Sequence, residues 1–232
     1  MLNNHHALEE RIGYTFQNQK LLETSLTHSS YVAEHGKSYW YNNERLEFLG
    51  DAYLDAIIGR KLFAMMPEDK EGVLSKTRAD VVCERSLAEI ARSMELGDHL
   101  RLGHGEEMGG GRKKDSILAD ATEALIGALL LDAGYEATEK IVLRLFRERI
   151  RKAVKGELYR DYKTVLQERI QAKYHSVTIL YEIIEESGPD HDKQFVAQVS
   201  VHGEKLGTGS GRSKKEAEQN AAKAVLEAKG VL

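Results

Sequence analysis

The chain has 232 residues, a formal net charge of −4 and a pI near 6.2, with 41% hydrophobic and 30% charged residues. That composition excludes disordered and fibrous classes, and a nucleic-acid partner cannot be read from charge alone. A single cysteine, Cys83, excludes an intrachain disulfide framework and a thiol-rich metal site.

Met1–His6 carries neither the basic nor the apolar stretch of a secretory signal, so a cytoplasmic protein without membrane attachment is expected. From Leu8 to about Ala153 apolar residues recur at helical spacing, as in Leu87, Ile90 and Ala91, or Ile141, Leu145 and Phe146. Glycine-rich breaks fall at Gly97–Asp98, Gly103–Gly105, Gly109–Gly111 and Ala133–Gly134. The charged stretch Arg147–Lys155 reads as the tail of the last helix, followed by a hinge at Gly156.

After Asp161 the pattern changes. A helix is expected over Lys163–Ala172, then a strand over Val177–Glu186, where apolar and polar residues alternate. A turn at Ser187–His191 leads to a second strand over Phe195–Val201. His202–Gly203 reverses the chain into a third strand near Glu204–Thr208, and a last helix spans Ser213–Ala228. The order is α-β-β-β-α, with both helices on one face of the sheet.

Two helices place acids where apolar residues belong. Ser116–Leu131 (SILADATEALIGALLL) is apolar on nearly every side, which predicts burial, and Asp115 or Ser116 is placed to cap it. Asp120 and Glu123 nevertheless share one of its faces. In Asn43–Asp51 (NERLEFLGD), at about 100° per residue, Glu44, Glu47 and Asp51 fall within roughly 60° of one another. Leu46, Leu49 and Tyr53 point to the other side. Carboxylates gathered on two apolar helices suit a hard cation, because Mg²⁺ prefers oxygen ligands and keeps part of its water. The competing reading pairs Asp120 and Glu123 with Arg45 or Arg78 as core salt bridges. A di-iron bundle is disfavoured, since Glu47 and Glu123 lack a histidine three residues on.

At these residues the chain resembles the bacterial ribonuclease III family. Asn43–Asp51 is similar to the family's signature helix and Ser116–Leu125 to its second metal-binding helix, within a likeness that spans essentially the whole sequence. The resemblance implies an Mg²⁺-dependent endoribonuclease for double-stranded RNA, with Mn²⁺ able to substitute, that processes ribosomal RNA precursors and structured messages. Carried over residue by residue, it implies metal ligands at Glu47, Asp51, Asp120 and Glu123, of which Asp51 and Glu123 are catalytic, and accessory acids at Glu44 and Glu71. Ala52, where the family often has serine, is a departure expected to be harmless. A homodimer through the nuclease domain is also implied, with Phe48 inserting into the partner; ordinary core packing is the alternative for Phe48. Such hydrolysis needs no covalent nucleophile, since the ions activate water and offset charge on the departing oxygen. The expected ends are therefore 5′-phosphate and 3′-hydroxyl.

Residues 161–229 resemble a double-stranded RNA-binding domain. Ser213 and Glu216 have capping-box spacing, so Lys214 and Lys215 occupy a first helical turn, where the dipole disfavours cations. With Arg212 and the free amides they form a site for phosphate oxygens. Thr164, Gln167, Glu168 and Gln171 make a polar stripe suited to the minor groove of A-form RNA, and the resemblance places His191 at the next groove.

The expectation is thus a multi-domain chain: an all-α nuclease domain (1–153), a linker (154–160) and a small α+β RNA-binding domain (161–232). The alternative of another class is a duplex-RNA scaffold with a vestigial nuclease fold, against which the intact acids argue. His28 reads as a structural histidine. Gly109–Lys114 reads either as a flexible basic loop that holds substrate phosphate or as a solvated linker.

Overall fold

The computed structural model describes residues 5–36, 38–158, 161–174, 178–188 and 193–228. The chain divides into two compact units, Met1–Tyr159 and Arg160–Leu232.

The first unit is helical: α1 (His6–Ile12), α2 (Gln19–Ser25), α3 (Ser29–Glu34), α4 (Glu44–Met65), α5 (Glu71–Val82), α6 (Glu84–Ser93), α7 (Leu96–His99), α8 (His104–Met108), α9 (Asp115–Ala133), α10 (Tyr135–Leu145) and α11 (Arg147–Val154). α9 runs through its core. Ile117, Leu118, Ala121, Ala124, Leu125, Ile126, Ala128 and Leu129 are all buried, as the all-round apolar sequence requires. α4 buries Leu46, Leu54, Ile57, Ile58 and Leu62 against the same core.

Gly50 and Gly127 allow α4 and α9 to cross in backbone contact. A Cβ at Gly50 would lie 1.8 Å from the carbonyl oxygen of Glu123, and one at Gly127 would lie 2.1 Å from that of Leu46. Only glycine fits at either place.

Three local expectations are corrected. Neither Asp115 nor Ser116 caps α9: Lys114 is the N-cap and no side chain closes that end. Arg147–Lys155 is not the tail of the preceding helix, because α10 ends at Leu145 and α11 starts afresh after Phe146, whose side chain is fully buried. Ile150 and Ala153, three residues apart, give that charged segment a buried face of its own. Gly97–Asp98 is not a break but lies within the short α7.

The second unit is α12 (Tyr162–Tyr174), β1 (Ile179–Ser187), β2 (Gln194–Val201), β3 (Glu204–Gly211) and α13 (Lys214–Glu227). Its strands form an antiparallel sheet in the order β1-β2-β3, with Ile183 opposite Ala197 and Ala197 opposite Gly209. His202 and Gly203 both adopt positive φ (51° and 82°), as a tight hairpin between twisted strands requires. Leu166 and Ile170 of α12 pack with Phe195, Ala197 and Val199 of β2 and Ala217, Ala221 and Val225 of α13. Of the sequence expectations, Val177, Pro189, Asp190 and His191 lie outside the described residues.

Candidate metal centre and nucleic-acid interface

The crossing of α4 and α9 brings their acids together. Glu47, Asp120 and Glu123 each offer a carboxylate oxygen, and these oxygens lie within 4.8 Å of one another. All three side chains are partly buried. Burial, then the charges of Asp51, Glu47 and Asp120, push the Glu123 carboxyl up to about 8. Glu47 is raised by burial and by Asp120, Glu44 and Asp51. Asp120 is raised chiefly by burial.

Among the described residues, no arginine, lysine or histidine forms an ion pair within 4.0 Å of Glu47, Asp51, Asp120 or Glu123. Arg78 instead pairs with Asp55 at 3.7 Å, and Arg45 lies over the Trp40 ring, 4.6 Å from its centroid. The salt-bridge alternative for these acids is therefore not what the fold builds. Like charges this close repel unless a cation joins them, and an all-oxygen donor set fits a hard divalent ion.

The other acids differ. Asp51, one turn beyond Glu47, is exposed and sits outside the tight group, yet it acts on the charges of both Glu47 and Glu123. Glu44 is partly buried and also acts on Glu47. Glu71 opens α5, is exposed, and accepts a 2.6 Å hydrogen bond from Ser75 Oγ. It does not join the group around Glu123.

Phe48 is 81% exposed, so core packing is excluded for it. The segment before α9 is also not a flexible basic loop. Gly111–Lys113 is a 3₁₀ turn in which Arg112 donates to the carbonyls of Gly97 (2.9 Å) and Leu100 (2.8 Å), while Lys114 pairs with Glu106. Those two cations are occupied in holding the entry to α9.

In the second unit, Ser213 Oγ accepts from Glu216 N–H at 3.2 Å, and the Glu216 carboxylate accepts from Arg212 N–H at 2.9 Å. This reciprocal cap starts α13 at Lys214. Arg212, Ser213, Lys214 and Lys215 are all exposed there. Thr164, Gln167, Glu168 and Gln171 are exposed along α12, while Leu166 and Ile170 are fully buried. Sequence reasoning missed Asp161, which accepts from the Thr164 backbone, the Thr164 hydroxyl and the Gln219 amide. These bonds hold its carboxyl down to about 2. An aspartate three residues ahead of Thr164 was the available capping signal.

The raised Glu123 carboxyl gives a pH expectation with a definite sign. Its folded value, about 8, exceeds its ordinary 4.5. The metal-free fold is therefore favoured below that ordinary value, and stability is lost as pH rises through the folded value. With solvent screening of this half-exposed group the loss amounts to about 2 kcal/mol. Thermal melts in chelator should fall across this range and recover on addition of Mn²⁺ at the alkaline end; a flat profile would contradict the clustering of charge.

Fold and site together define a carboxylate-centred helical domain joined to a small α-β-β-β-α module. Residues 18–150 match the family model for ribonuclease-III-like domains, and residues 162–229 match that for the double-stranded RNA binding motif. A protein named Ribonuclease 3 from Caldanaerobacter subterraneus subsp. tengcongensis is 52% identical over 97% of this chain and 98% of its own. Another of that name, from Geobacillus thermodenitrificans, is 47% identical over 95% of this chain and 89% of its own. A crystal structure of the nuclease domain of ribonuclease III from Campylobacter jejuni superimposes with a TM-score of 0.58 at 47% identity, covering 63% of this chain and 96% of that one. The chain belongs to the ribonuclease III family.

Proposed function

We propose that this protein is an Mg²⁺-dependent endoribonuclease that hydrolyses double-stranded RNA, leaving 5′-phosphate and 3′-hydroxyl ends, and that it acts in the cytoplasm on ribosomal RNA precursors and structured messages. In this reading residues 1–153 form the catalytic domain, and residues 154–160 join it to a duplex-binding domain at 161–232. The observation that carries it is the convergence of Glu47, Asp120 and Glu123 from two core helices, with no ion pair to any of them among the described residues.

Glu47, Asp51, Asp120 and Glu123 would hold divalent cations, Mg²⁺ or in its place Mn²⁺, with Glu44 and Glu71 as accessory acids. Bound there, such ions supply Lewis-acid activation of water and offset charge on the departing oxygen. With its carboxyl raised to about 8 by burial and the neighbouring acids, Glu123 would give up a proton on holding such an ion. Arg212, Ser213, Lys214 and Lys215 bind phosphate oxygens at the start of α13, and the polar stripe of α12, with His191, reads the minor groove. Family membership and the double-stranded RNA binding motif support duplex RNA as substrate.

Phe48, with most of its ring in solvent, is proposed to insert into a second copy in a homodimer formed through the nuclease domain. One Campylobacter jejuni nuclease domain is described with a region involved in dimer formation. No described helix is long and apolar enough to cross a membrane.

The test is a long RNA duplex incubated with Mg²⁺ and with chelator, followed by analysis of the fragment ends. Metal-dependent fragments with 5′-phosphates are expected. Cyclic 2′,3′-phosphates would defeat the mechanism, and binding without cutting would favour a scaffold. Changing both Lys214 and Lys215 to Ala should weaken duplex binding and lower the slope of log affinity against log salt by about 1–2. An unchanged slope would remove these lysines from the phosphate site.

A further inference from the structure

Two histidines 94 residues apart in the chain meet at the start of α1. His5, the N-cap of α1, is 4% exposed, and its Nδ1 lies 3.3 Å from Nδ1 of His99, the last residue of α7. The ring centroids are 5.5 Å apart and the rings are tilted by 55°. The second nitrogen of His5, Nε2, is buried and has no hydrogen-bond partner among the described residues. His99 is only partly buried.

These contacts leave one well-satisfied arrangement of protons. A bond between two ring nitrogens needs one proton, given by one ring and accepted by the other. A proton on His5 Nε2 would be a buried donor without an acceptor, which is costly. The His5 proton therefore belongs on Nδ1, where it is donated to the bare Nδ1 of His99, and His99 carries its own proton on Nε2. Any added proton spoils this. On His5 it must sit on Nε2, which has no acceptor. On His99 it turns Nδ1 into a donor facing a donor, and reversing the bond would again move the His5 proton to Nε2. Both rings neutral is the state the contact is built for.

The charged groups around the pair are mixed, and burial decides between them. Burial, then His99 and Arg101, hold His5 below its ordinary value against the pull of Glu23 and Glu9. Burial, then Arg11, hold His99 down against Asp98 and Glu95. Two of these arginines are themselves paired, Arg101 with Glu23 at 3.4 Å and Arg11 with Glu95. The chain beyond His99 is fastened to its neighbours: Leu100 O accepts from Arg112, and Arg101 N–H donates to Leu26 O at 2.8 Å. The His99 ring thus offers α1 a fixed point of attachment.

We propose that His5 and His99 form an acid-released latch: joined while both rings are neutral, it holds the start of α1 against α7 and lets go when either ring takes up a proton. Neither histidine belongs to the metal centre, so the proposal stands apart from the reading of the reaction. An imidazole that the fold keeps neutral takes up its proton more readily in the unfolded chain. The stabilisation is therefore complete above the ordinary value of 6.5 and is lost as pH falls below it, through the depressed folded values.

The test compares the parent with His99→Asn, whose amide oxygen can accept from His5 Nδ1–H but cannot take up a proton. Between about pH 7.5 and pH 5.5 in chelator, the parent should lose at least about 2 °C more in melting temperature than the variant, the scale of one buried donor left unpaired. Other groups titrate alike in both proteins, so equal pH dependence would overturn the latch. The Glu9 amide donates to His5 O at 3.0 Å, and its protection from hydrogen exchange should fall with pH in the parent; unchanged protection would overturn the release. Should the variant fail to fold, the parent alone decides. Long-range proton–nitrogen NMR at neutral pH should find His5 protonated on Nδ1 and His99 on Nε2, with both titration midpoints below 6.5. A proton on His5 Nε2, or a midpoint for either ring at or above that value, would overturn the proposal.

Discussion

Replacing Glu123 by Gln should reduce cleavage of duplex RNA by about 10²–10³-fold or more, the scale of losing one preorganised electrostatic group, while leaving RNA affinity within about twofold. The two side chains have nearly the same shape, so the change removes charge rather than volume. Glu123 is the carboxyl most strongly raised in the cluster, and Asp51, Glu47 and Asp120 all act on it. Its neutral replacement therefore relieves repulsion. In chelator the variant should be at least as stable as the parent at pH 8, and its melting temperature should vary less with pH. Loss of activity together with a flatter pH profile is not the signature of a damaged fold. An unchanged cutting rate would remove Glu123 from the metal site.

The second large effect is expected from Gly50→Ala. The new methyl would lie 1.8 Å from the carbonyl oxygen of Glu123 and 2.6 Å from its carbonyl carbon. Both are main-chain atoms of a core helix, so no rotamer change relieves the clash and the helices must separate. Overpacking of this kind costs about 3 kcal/mol, or about 6–12 °C in melting temperature for a chain of this size. Because the displaced segment carries Glu123, Mn²⁺ stabilisation should weaken in whatever fraction still folds. Gly127→Ala, with its Cβ 2.1 Å from Leu46 O, should behave alike. Gly59→Ala, on the same α4, meets nothing closer than the Arg78 side chain at 3.8 Å; it should be neutral or stabilising by up to about 1 kcal/mol. If all three variants melted together, the close crossing would not be what builds the site.

Much of this was legible in the residues because two periodicities are strong. The apolar run around Asp120 and Glu123 could only be a buried helix, and the phase of Glu47 on α4 follows from helical geometry alone. The β2–β3 hairpin was legible because His202–Gly203 suits a turn with positive φ at both positions. What was not legible depended on tertiary partners. Phe48 reads equally as core or surface from spacing, and only the placement of α4 leaves its ring outside. The basic residues before α9 looked free because their acceptors, the carbonyls of Gly97 and Leu100 and the acid of Glu106, come from other segments. The closeness of α4 to α9 had a signal, a glycine within each acid-bearing helix, whose meaning emerges only when the two helices are laid against each other. Arg147–Lys155 misled because its charges hide the two-residue apolar face of α11.

The acids of the centre belong to helices separated in the chain by all of α5 to α8. A growing polypeptide that ends anywhere before α9 carries Glu47 but neither Asp120 nor Glu123, and so lacks the grouped carboxylates. On the proposed reading, cutting power would arrive only once α9 has been made and has packed against α4.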